Sequence, residues 1–264
     1  MKIALMDSGI GLLPAAAVVR RLRPDADLVI SSDPDGMPWG PRSPEDLTGR
    51  ALAVARAAAA HEPDALIIGC NTATVHALPA IRAALEPRIP VIGTVPAIKP
   101  AAVDGGEVAI WATPATTGSP YQRGLIRDFA DGAAVTEVPC PGLADAVEHD
   151  DAEGVRRAVA AAAARTPQDV RAVVLGCTHY ELVGEQILAA LARPEGSALP
   201  PVELYGSADA VAAQAFRRIG AEADPGAPAT GTLTVLLSGR SGTLPAPALA
   251  YPQGRLLGTA AVAR

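Results

Sequence analysis

The sequence predicts an α/β protein with two pseudo-symmetric βαβ lobes, mainly parallel sheets and an active site in the cleft between the lobes. Three observations lead to this fold class. Short β-branched runs alternate with Ala-, Arg- and Glu-rich segments of helical length. The alternation starts again near residue 107. Two similar segments, IIGCNTAT and VLGCTHYE, occupy matching places in the two halves of the chain.

The hydrophobic pattern assigns strands and helices in turn. The segment 44–61 also carries acidic residues in its first turn, which favours a helix start there. Beyond about residue 225 only TLTVLLSG, at 232–239, has the character of a strand. The other predicted strands are 2–7, 27–33, 64–70, 90–95, 107–113, 133–141, 170–177 and 201–207, and the predicted helices are 14–22, 44–61, 73–85, 121–130, 152–165, 182–191 and 208–220.

The nearly constant spacing between matching strand ends indicates an internal duplication. We therefore expect one lobe from residues 1–98 plus 206–264 and a second lobe from residues 99–205. Chance recurrence is the alternative, since any α/β chain has a similar rhythm. The matched pairs are Asp7 with Thr113, 106 residues apart, Cys70 with Cys177, 107 residues apart, and Pro90-Val91 with Pro201-Val202, 111 residues apart.

Composition excludes several classes of protein. Aromatic residues are only 3% against 49% hydrophobic residues, so the core must be aliphatic. The net charge is −6 and the basic residues are scattered, which argues against a nucleic-acid partner. No apolar stretch reaches the roughly 20 residues that span a bilayer, and Asp7 interrupts the short apolar N-terminus. We expect a cytoplasmic protein with no membrane partner.

The sequence gives no sign of a cofactor or metal. There is no GxxxxGK[ST] segment, and GIGLLP does not complete GxGxxG. Lys2 and Lys99 are the only lysines, and Lys2 opens the first strand, so Lys99 is the one remaining choice for a Schiff base and the sequence argues against pyridoxal phosphate. The three cysteines lack a CxxC pair, which argues against a disulfide framework or a structural zinc site. We therefore predict no cofactor and no metal.

Polar residues cluster at predicted strand ends, where parallel sheets bind ligands. Two facing lobes would place Cys70 and Cys177 on opposite walls of one cleft. Inversion of a carbon centre by proton transfer needs a base on one face and an acid on the other, and two thiols can exchange these roles. The residues at or just after strand ends are Asp7, Asp33, Cys70, Thr113, Glu148 and Cys177.

The cysteines and histidines also have interpretations that involve no catalysis. A lone buried cysteine is most often a small core residue, and Cys140 is interpreted in that way. Cys177 and His179 could form half of a metal site, but no other ligand cluster supports one. His61 and His76 look like solvated helix residues, and His149 like a loop residue.

At these motifs the chain resembles glutamate racemases, in the cofactor-independent aspartate/glutamate racemase superfamily. The resemblance covers roughly residues 3–185 and consists of seven blocks in the family's order. The blocks are DSGIG (7–11), MPWGPRS (37–43), GCNTAT (69–74), PVIGTVPAIKPA (90–101), ATPATTGSPYQ (112–122), CPGLADAVE (140–148) and GCTHY (176–180).

The resemblance implies interconversion of L- and D-glutamate without a cofactor, with D-glutamate supplying peptidoglycan. Cys70, assisted by Asp7, would exchange the proton with the D-enantiomer. Cys177, assisted by His179 and Glu148, would exchange it with the L-enantiomer. We also expect a homodimer. The resemblance implies that the substrate is held by Asp7, Ser8, Pro38, Gly40, Asn71, Thr72, Thr113, Thr116 and Thr178, with Trp39 in the same loop.

The chain departs from the family pattern at three motif positions. Trp39 stands where Tyr is usual, and we hypothesise that it narrows or redirects the pocket for the substrate side chain. Leu12 replaces a usual Gly, and Glu181 follows GCTHY where Pro is common. Beyond about residue 225 the resemblance is weak.

Other functions stay open at this point. A related racemase could act on aspartate, a hydantoin or a specialised amino acid, and related maleate isomerases use similar thiols for covalent addition. A racemase-like protein without turnover could also act by binding a partner. GCTHY together with CPGLADAVE favours glutamate.

Overall fold

Two mainly parallel β-sheets organise the chain in the computed structural model, which describes residues 1–259 and 261–262. The strands are short, and those at the centre of each sheet are almost wholly apolar, as parallel strands covered on both faces require. The strands are β1 Lys2–Asp7, β2 Asp27–Ser32, β3 Ala65–Ile68, β4 Val91–Gly93, β5 Gly106–Ala112, β6 Ala133–Pro139, β7 Ala172–Leu175, β8 Glu203–Tyr205, β9 Thr232–Leu237, β10 Arg240–Gly242 and β11 Ala261–Val262.

The helices follow the strands in a βαβ order, and two 3-10 segments, Ile10–Leu12 and Thr178–Val183, precede helices. No helix among the described residues is both long and apolar enough to cross a bilayer. The helices are α1 Leu13–Leu22, α2 Pro44–Ala59, α3 Asn71–Leu85, α4 Ile98–Ala102, α5 Pro120–Phe129, α6 Leu143–Glu148, α7 Ala152–Ala163, α8 Gly184–Ala190, α9 Ala208–Ile219, α10 Ala246–Ala250 and α11 Pro252–Gly258.

The chain divides into two units. The first consists of residues 1–94 and the described part of 208–264, and the second consists of residues 95–207. The first sheet has the order β10-β9-β2-β1-β3-β4 with β11 beside β9, and only the β9–β10 pair is antiparallel. The second sheet has the order β6-β5-β7-β8 and is parallel throughout. The predicted α/β class is therefore confirmed, while the predicted lobe boundaries stay a prediction.

The same strand order occurs in both units, because β2-β1-β3-β4 corresponds to β6-β5-β7-β8. The registers agree as well: Met6 pairs with Ile68, and Trp111 pairs with Leu175, each two residues before a motif cysteine. This register makes Ala112 the counterpart of Asp7, in place of the predicted Thr113. The topology supports the duplication that the spacing predicts but shifts a second matched pair as well. Val91 pairs with Leu66 and Leu204 pairs with Val173, so the counterpart of Val91 is Leu204, two residues after the predicted Val202.

The eight strands predicted in the two repeats are all present. β1 has the predicted bounds, β5 starts and ends one residue earlier than predicted, and the other six are shorter by one to four residues. The helix predicted at 182–191 begins only at Gly184, because the preceding residues form the 3-10 segment. The short helices α4, α6, α10 and α11 were not predicted. Five to seven residues are too few to produce a helical period in the sequence.

Candidate active site

The Asp7 carboxylate lies at the carboxyl end of β1, where the chain turns toward α1. Asp7 is fully buried, and its Oδ1 accepts hydrogen bonds from the Ser8 amide at 2.5 Å and from the Ser8 hydroxyl at 3.2 Å. Because β1 is the neighbour of β3 in the sheet, this carboxylate and the residues that follow β3 lie at the same sheet edge.

The Cys70 thiol caps the N-terminus of α3, just after β3. The Ala73 amide donates to its Sγ at 3.5 Å, and the residue is 9% exposed. Asn71 is buried and Thr72 is half-buried in the first turn of the helix. A helix N-terminus stabilises negative charge, so it is a suitable place for a sulfur that must carry a charge at one stage of a proton transfer.

Two threonines hold the backbone around this sulfur. The Thr74 amide and hydroxyl both donate to the Cys70 carbonyl at 3.0 Å. The Thr94 amide donates to Thr74 Oγ1 at 3.0 Å, and the Thr94 hydroxyl donates to the Ile68 carbonyl at 2.6 Å. Neither threonine was selected from the sequence. The available signal was a hydroxyl residue within GCNTAT and another directly after β4.

The loop that carries Pro38, Trp39 and Gly40 is anchored by its indole. Pro38 and Gly40 are exposed, but Trp39 is 1% exposed and its Nε1 donates to Asp33 Oδ2 at 3.0 Å. Asp33 is itself buried and accepts a second hydrogen bond from the Ser238 hydroxyl at 2.9 Å. The indole belongs to the core of the first unit, so its contacts do not support the hypothesis that it narrows a side-chain pocket.

A chain of contacts joins Cys177, His179 and Glu148 in the second unit. The Cys177 Sγ lies 3.8 Å from His179 Nδ1, and His179 Nε2 lies 2.8 Å from Glu148 Oε2. The side chains of His179 and Glu148 are only 9% and 12% exposed. A neutral imidazole that donates Nε2–H to a carboxylate presents its Nδ1 lone pair to the thiol. The arrangement can therefore exchange a proton with the sulfur.

The position of Glu148 corrects a prediction. It was expected at or just after a strand end, but it is the last residue of α6. This helix begins after Gly142, whose φ of 75° is in the left-handed region that glycine adopts readily. In the described part of the chain, no three His, Cys, Asp or Glu side chains form a group that could hold a metal ion.

Hydroxyl groups line the ends of β5 and β7, which are neighbours in the second sheet. Thr113 follows β5, and its Oγ1 lies 3.2 Å from Thr116 Oγ1, while the Thr116 amide donates to the Thr113 carbonyl at 2.9 Å. Thr178 is buried at the start of the 3-10 segment after β7. The structure therefore brings these three predicted residues to one edge of the second sheet.

The third cysteine, Cys140, is buried and contacts the 3-10 segment that follows Cys177. The Tyr180 hydroxyl donates to the Cys140 carbonyl at 3.4 Å. Burial, with a smaller contribution from Cys177, raises the pKa of the Cys140 thiol to about 12. Burial likewise raises the pKa of Tyr180. Cys140 is therefore a protonated core thiol at neutral pH, which fits its structural interpretation.

Cys140 is expected to resist alkylation in the folded protein. With a pKa of about 12, only about one thiol in ten thousand is ionised at pH 8, and the thiolate is the nucleophile. Iodoacetamide at pH 8, followed by peptide mass spectrometry, should label the partly exposed Cys177 and leave Cys140 unlabelled. In 8 M urea both should react as ordinary thiols. Labelling of Cys140 in the folded protein at the rate of Cys177 would contradict the prediction.

The two Gly-Cys turns are built alike. The Gly69 amide donates to the Met6 carbonyl at 2.7 Å, and the Gly176 amide donates to the Trp111 carbonyl at 2.8 Å. A Cβ on Gly69 would lie 2.9 Å from the Leu12 Cα, and a Cβ on Gly176 would lie 2.9 Å from the Trp111 carbonyl oxygen. Glycine is required at both positions because the neighbouring backbone approaches so closely. This explains why glycine precedes each motif cysteine.

Two α/β units of the same strand order, each with a thiol on the turn after its third strand, define a duplicated α/β fold with paired thiol sites. The chain belongs to the Asp/Glu/Hydantoin racemase family, whose model matches residues 15–215. The family resemblance predicted from the motifs is confirmed.

Curated relatives agree with this assignment. The glutamate racemase of Sphingopyxis alaskensis is 37% identical over 201 residues, which cover 72% of this chain and 74% of the relative. The glutamate racemase of a Roseiflexus species is 36% identical over 192 residues, which cover 71% and 70% of the two chains.

Solved structures of similar fold are also glutamate racemases. The Escherichia coli enzyme, solved with L-glutamate and the activator UDP-MurNAc-ala, matches with a TM-score of 0.73 and 26% identity over 97% of this chain and 92% of that one. The Thermus thermophilus enzyme, solved with β-chloro-D-alanine, matches with a TM-score of 0.69 and 27% identity over 100% and 96% of the two chains.

Proposed function

We propose that this protein interconverts L- and D-glutamate by removing the α-proton on one face of Cα and returning a proton on the other, without a cofactor. The repeated Gly-Cys turn carries the proposal, because it provides one thiol in each unit with its own nearby acid/base group. The family membership and the named activity of the curated relatives support glutamate as the substrate.

In the direction from L to D, the Cys177 thiolate takes the α-proton. The electron pair left on Cα delocalises into the α-carboxylate, and the Cys70 thiol then donates its proton to the opposite face. Cys177 ends as a thiol and Cys70 as a thiolate, so the reverse reaction starts from the state that the forward reaction leaves. Such proton transfers by positioned groups contribute about 10²–10⁴-fold each.

Each thiol has a different partner. His179 would set the protonation of Cys177, with Glu148 holding the ring in orientation through its 2.8 Å contact. Asp7 would serve Cys70 from the adjacent strand end, with the Ser8 hydroxyl fixing the carboxylate. These roles are proposals from the motifs and the contacts within each unit.

Helix N-termini and hydroxyl groups would bind the substrate's carboxylates and amino group. Backbone N–H groups at such turns bind anions and stabilise the charge that develops at the α-carboxylate. The buried indole of Trp39 leaves the main chain of its loop as the means of contact with substrate. The proposed binding residues are Ser8, Pro38, Trp39, Gly40, Asn71, Thr72, Thr113, Thr116 and Thr178.

Incubation with L-glutamate in deuterated water tests the proposed function. No cofactor is added, the α-proton signal is followed by NMR, and the optical signal is followed by circular dichroism. Loss of both signals together is expected. A parallel incubation with L-aspartate distinguishes substrates within the family. Folded, reduced protein that exchanges neither α-proton would overturn the proposed activity and favour a binding function.

We also propose that the product supplies peptidoglycan precursors in the cytoplasm and that the protein acts as a homodimer. Rescue of a D-glutamate auxotroph tests the first point, and light scattering coupled to size-exclusion chromatography tests the second. Failure to rescue the auxotroph by a protein that is active in vitro would indicate that its product enters another pathway that uses D-amino acids.

A further inference from the structure

Glu181 makes a contact that the motif pattern does not account for. It lies in the 3-10 segment Thr178–Val183, directly after GCTHY, where proline is common in the pattern that the chain resembles. Its Oε1 accepts hydrogen bonds from the Ser207 amide at 2.7 Å and from the Ser207 hydroxyl at 2.8 Å. The two residues are separated by 26 positions, so the contact joins the thiol-bearing turn to a distant part of the chain.

Ser207, the partner of this carboxylate, lies where the second unit ends. Ser207 is 2% exposed and is the last residue of the second unit, since Ala208 belongs to the first. In the chain it immediately precedes the twelve-residue helix α9. The contact therefore links the 3-10 segment after Cys177 to Ser207, the last residue of the second unit.

The neighbouring glycine leaves room for the carboxylate. A Cβ on Gly206 would lie 2.5 Å from Glu181 Oε2 and 2.6 Å from its Cδ. Any side chain at position 206 would therefore displace Glu181. The Glu181 contact therefore depends on a glycine at position 206.

We propose that Glu181 is a positioning residue for the Cys177 half of the proton-transfer machinery. A 3-10 segment has poorer hydrogen-bond geometry than an α-helix and is held less firmly by its own backbone. The Glu181 contact supplies an external anchor four residues after Cys177 and two after His179. A shift of about 1 Å in a reacting group can cost on the order of 10²-fold in rate. The inference rests on the proposed function.

Elimination from β-chloro analogues of L- and D-glutamate tests this role, because each enantiomer needs only one base. The base takes the α-proton, the Cα–H electron pair forms the Cα=Cβ bond, and chloride leaves. The L-analogue reports on Cys177 and the D-analogue on Cys70. Chloride release is measured for the wild type and for Glu181→Ala. The exposed Glu185→Ala is the matched control, and Glu148→Gln is the positive control for a defect on the Cys177 side.

Glu181→Ala should lower elimination from the L-analogue about tenfold and leave the D-analogue within about twofold of wild type. Glu181→Gln should restore most of the loss, since an amide oxygen also accepts from Ser207. Gly206→Ala should reproduce the selective loss, because its Cβ displaces the carboxylate. Circular dichroism confirms that each variant folds.

Equal loss with both analogues, or none with either, would overturn the positioning role while leaving the proposed function standing. A wild-type protein that eliminates chloride from neither analogue would overturn both. The ratio of the two elimination rates is the decisive quantity, because a general loss of stability lowers both rates together.

Discussion

Replacing Cys70 or Cys177 by serine is expected to lower racemisation of glutamate by about 10³-fold, because a serine hydroxyl is far less acidic than a thiol and cannot serve as the base. Full racemisation needs both groups, so each single variant should lose activity in both directions. The optical decay of L- and of D-glutamate measures this. The expected loss is the same whichever enantiomer is supplied, since both directions pass through the same two proton transfers.

One-sided elimination separates this mechanism from a general loss of function. Cys177→Ser should still release chloride from the β-chloro analogue of D-glutamate, and Cys70→Ser from that of L-glutamate. Cys140→Ser is the matched control. Its buried side chain lies 3.5 Å from the Val138 carbonyl, which a serine hydroxyl can also reach, and racemisation should stay within about threefold of wild type. Substantial racemisation by either the Cys70 or the Cys177 variant would refute the two-base assignment.

Trp39→Ala is expected to lower the free energy of unfolding by about 3–5 kcal/mol, the range for truncating a fully buried large aromatic side chain. The indole is 1% exposed within the core of the first unit, so little rearrangement can fill its volume. Urea unfolding followed by far-ultraviolet circular dichroism measures the change. The loop that carries Pro38 and Gly40 depends on this anchor, so loss of glutamate binding should accompany the loss of stability.

Trp39→Phe separates packing from hydrogen bonding. A phenylalanine ring keeps most of the volume of the indole. Asp33 would lose the Nε1 donor at 3.0 Å. It would retain the Ser238 hydroxyl at 2.9 Å and the ion pair with Arg50 at 3.4 Å. A hydrogen bond to a charged group contributes about 1.5–3 kcal/mol, and one between neutral groups about 0.5–1.5 kcal/mol.

The matched control for this comparison is Trp111→Phe in the second unit. Trp111 is equally buried, but its Nε1 donates to the neutral Thr166 hydroxyl at 2.9 Å. The variant at position 39 should therefore lose more stability than the variant at position 111. The reverse order would show that the charge of Asp33 adds nothing to the anchor.

Much of the first-unit half of the site could be predicted from local sequence. The turns that carry Asp7 and Cys70 are each formed by residues within a few positions, so a strand pattern followed by a small polar residue suffices to place them. Cys177 and His179 are likewise two positions apart. By contrast, the anchoring of Trp39 could not be predicted, because the sequence shows a bulky residue in the loop but not the buried carboxylate that accepts its N–H.

The sequence by itself determined the α/β class, the repeated alternation of strands and helices, and the presence of a glycine before each thiol. The class and the alternation follow from hydrophobic periods along the chain, whereas the reason for each glycine, the close approach of the backbone at Leu12 and Trp111, lies in the tertiary structure. The tertiary structure alone decided that Glu148 meets His179 across 31 positions and that Glu181 meets Ser207 across 26. Such contacts depend on how α6, the 3-10 segment and the segment that ends at Ser207 pack within the second unit. Side-chain pairs of this kind have no period in the sequence, because packing brings them together only after the strands have formed their sheet.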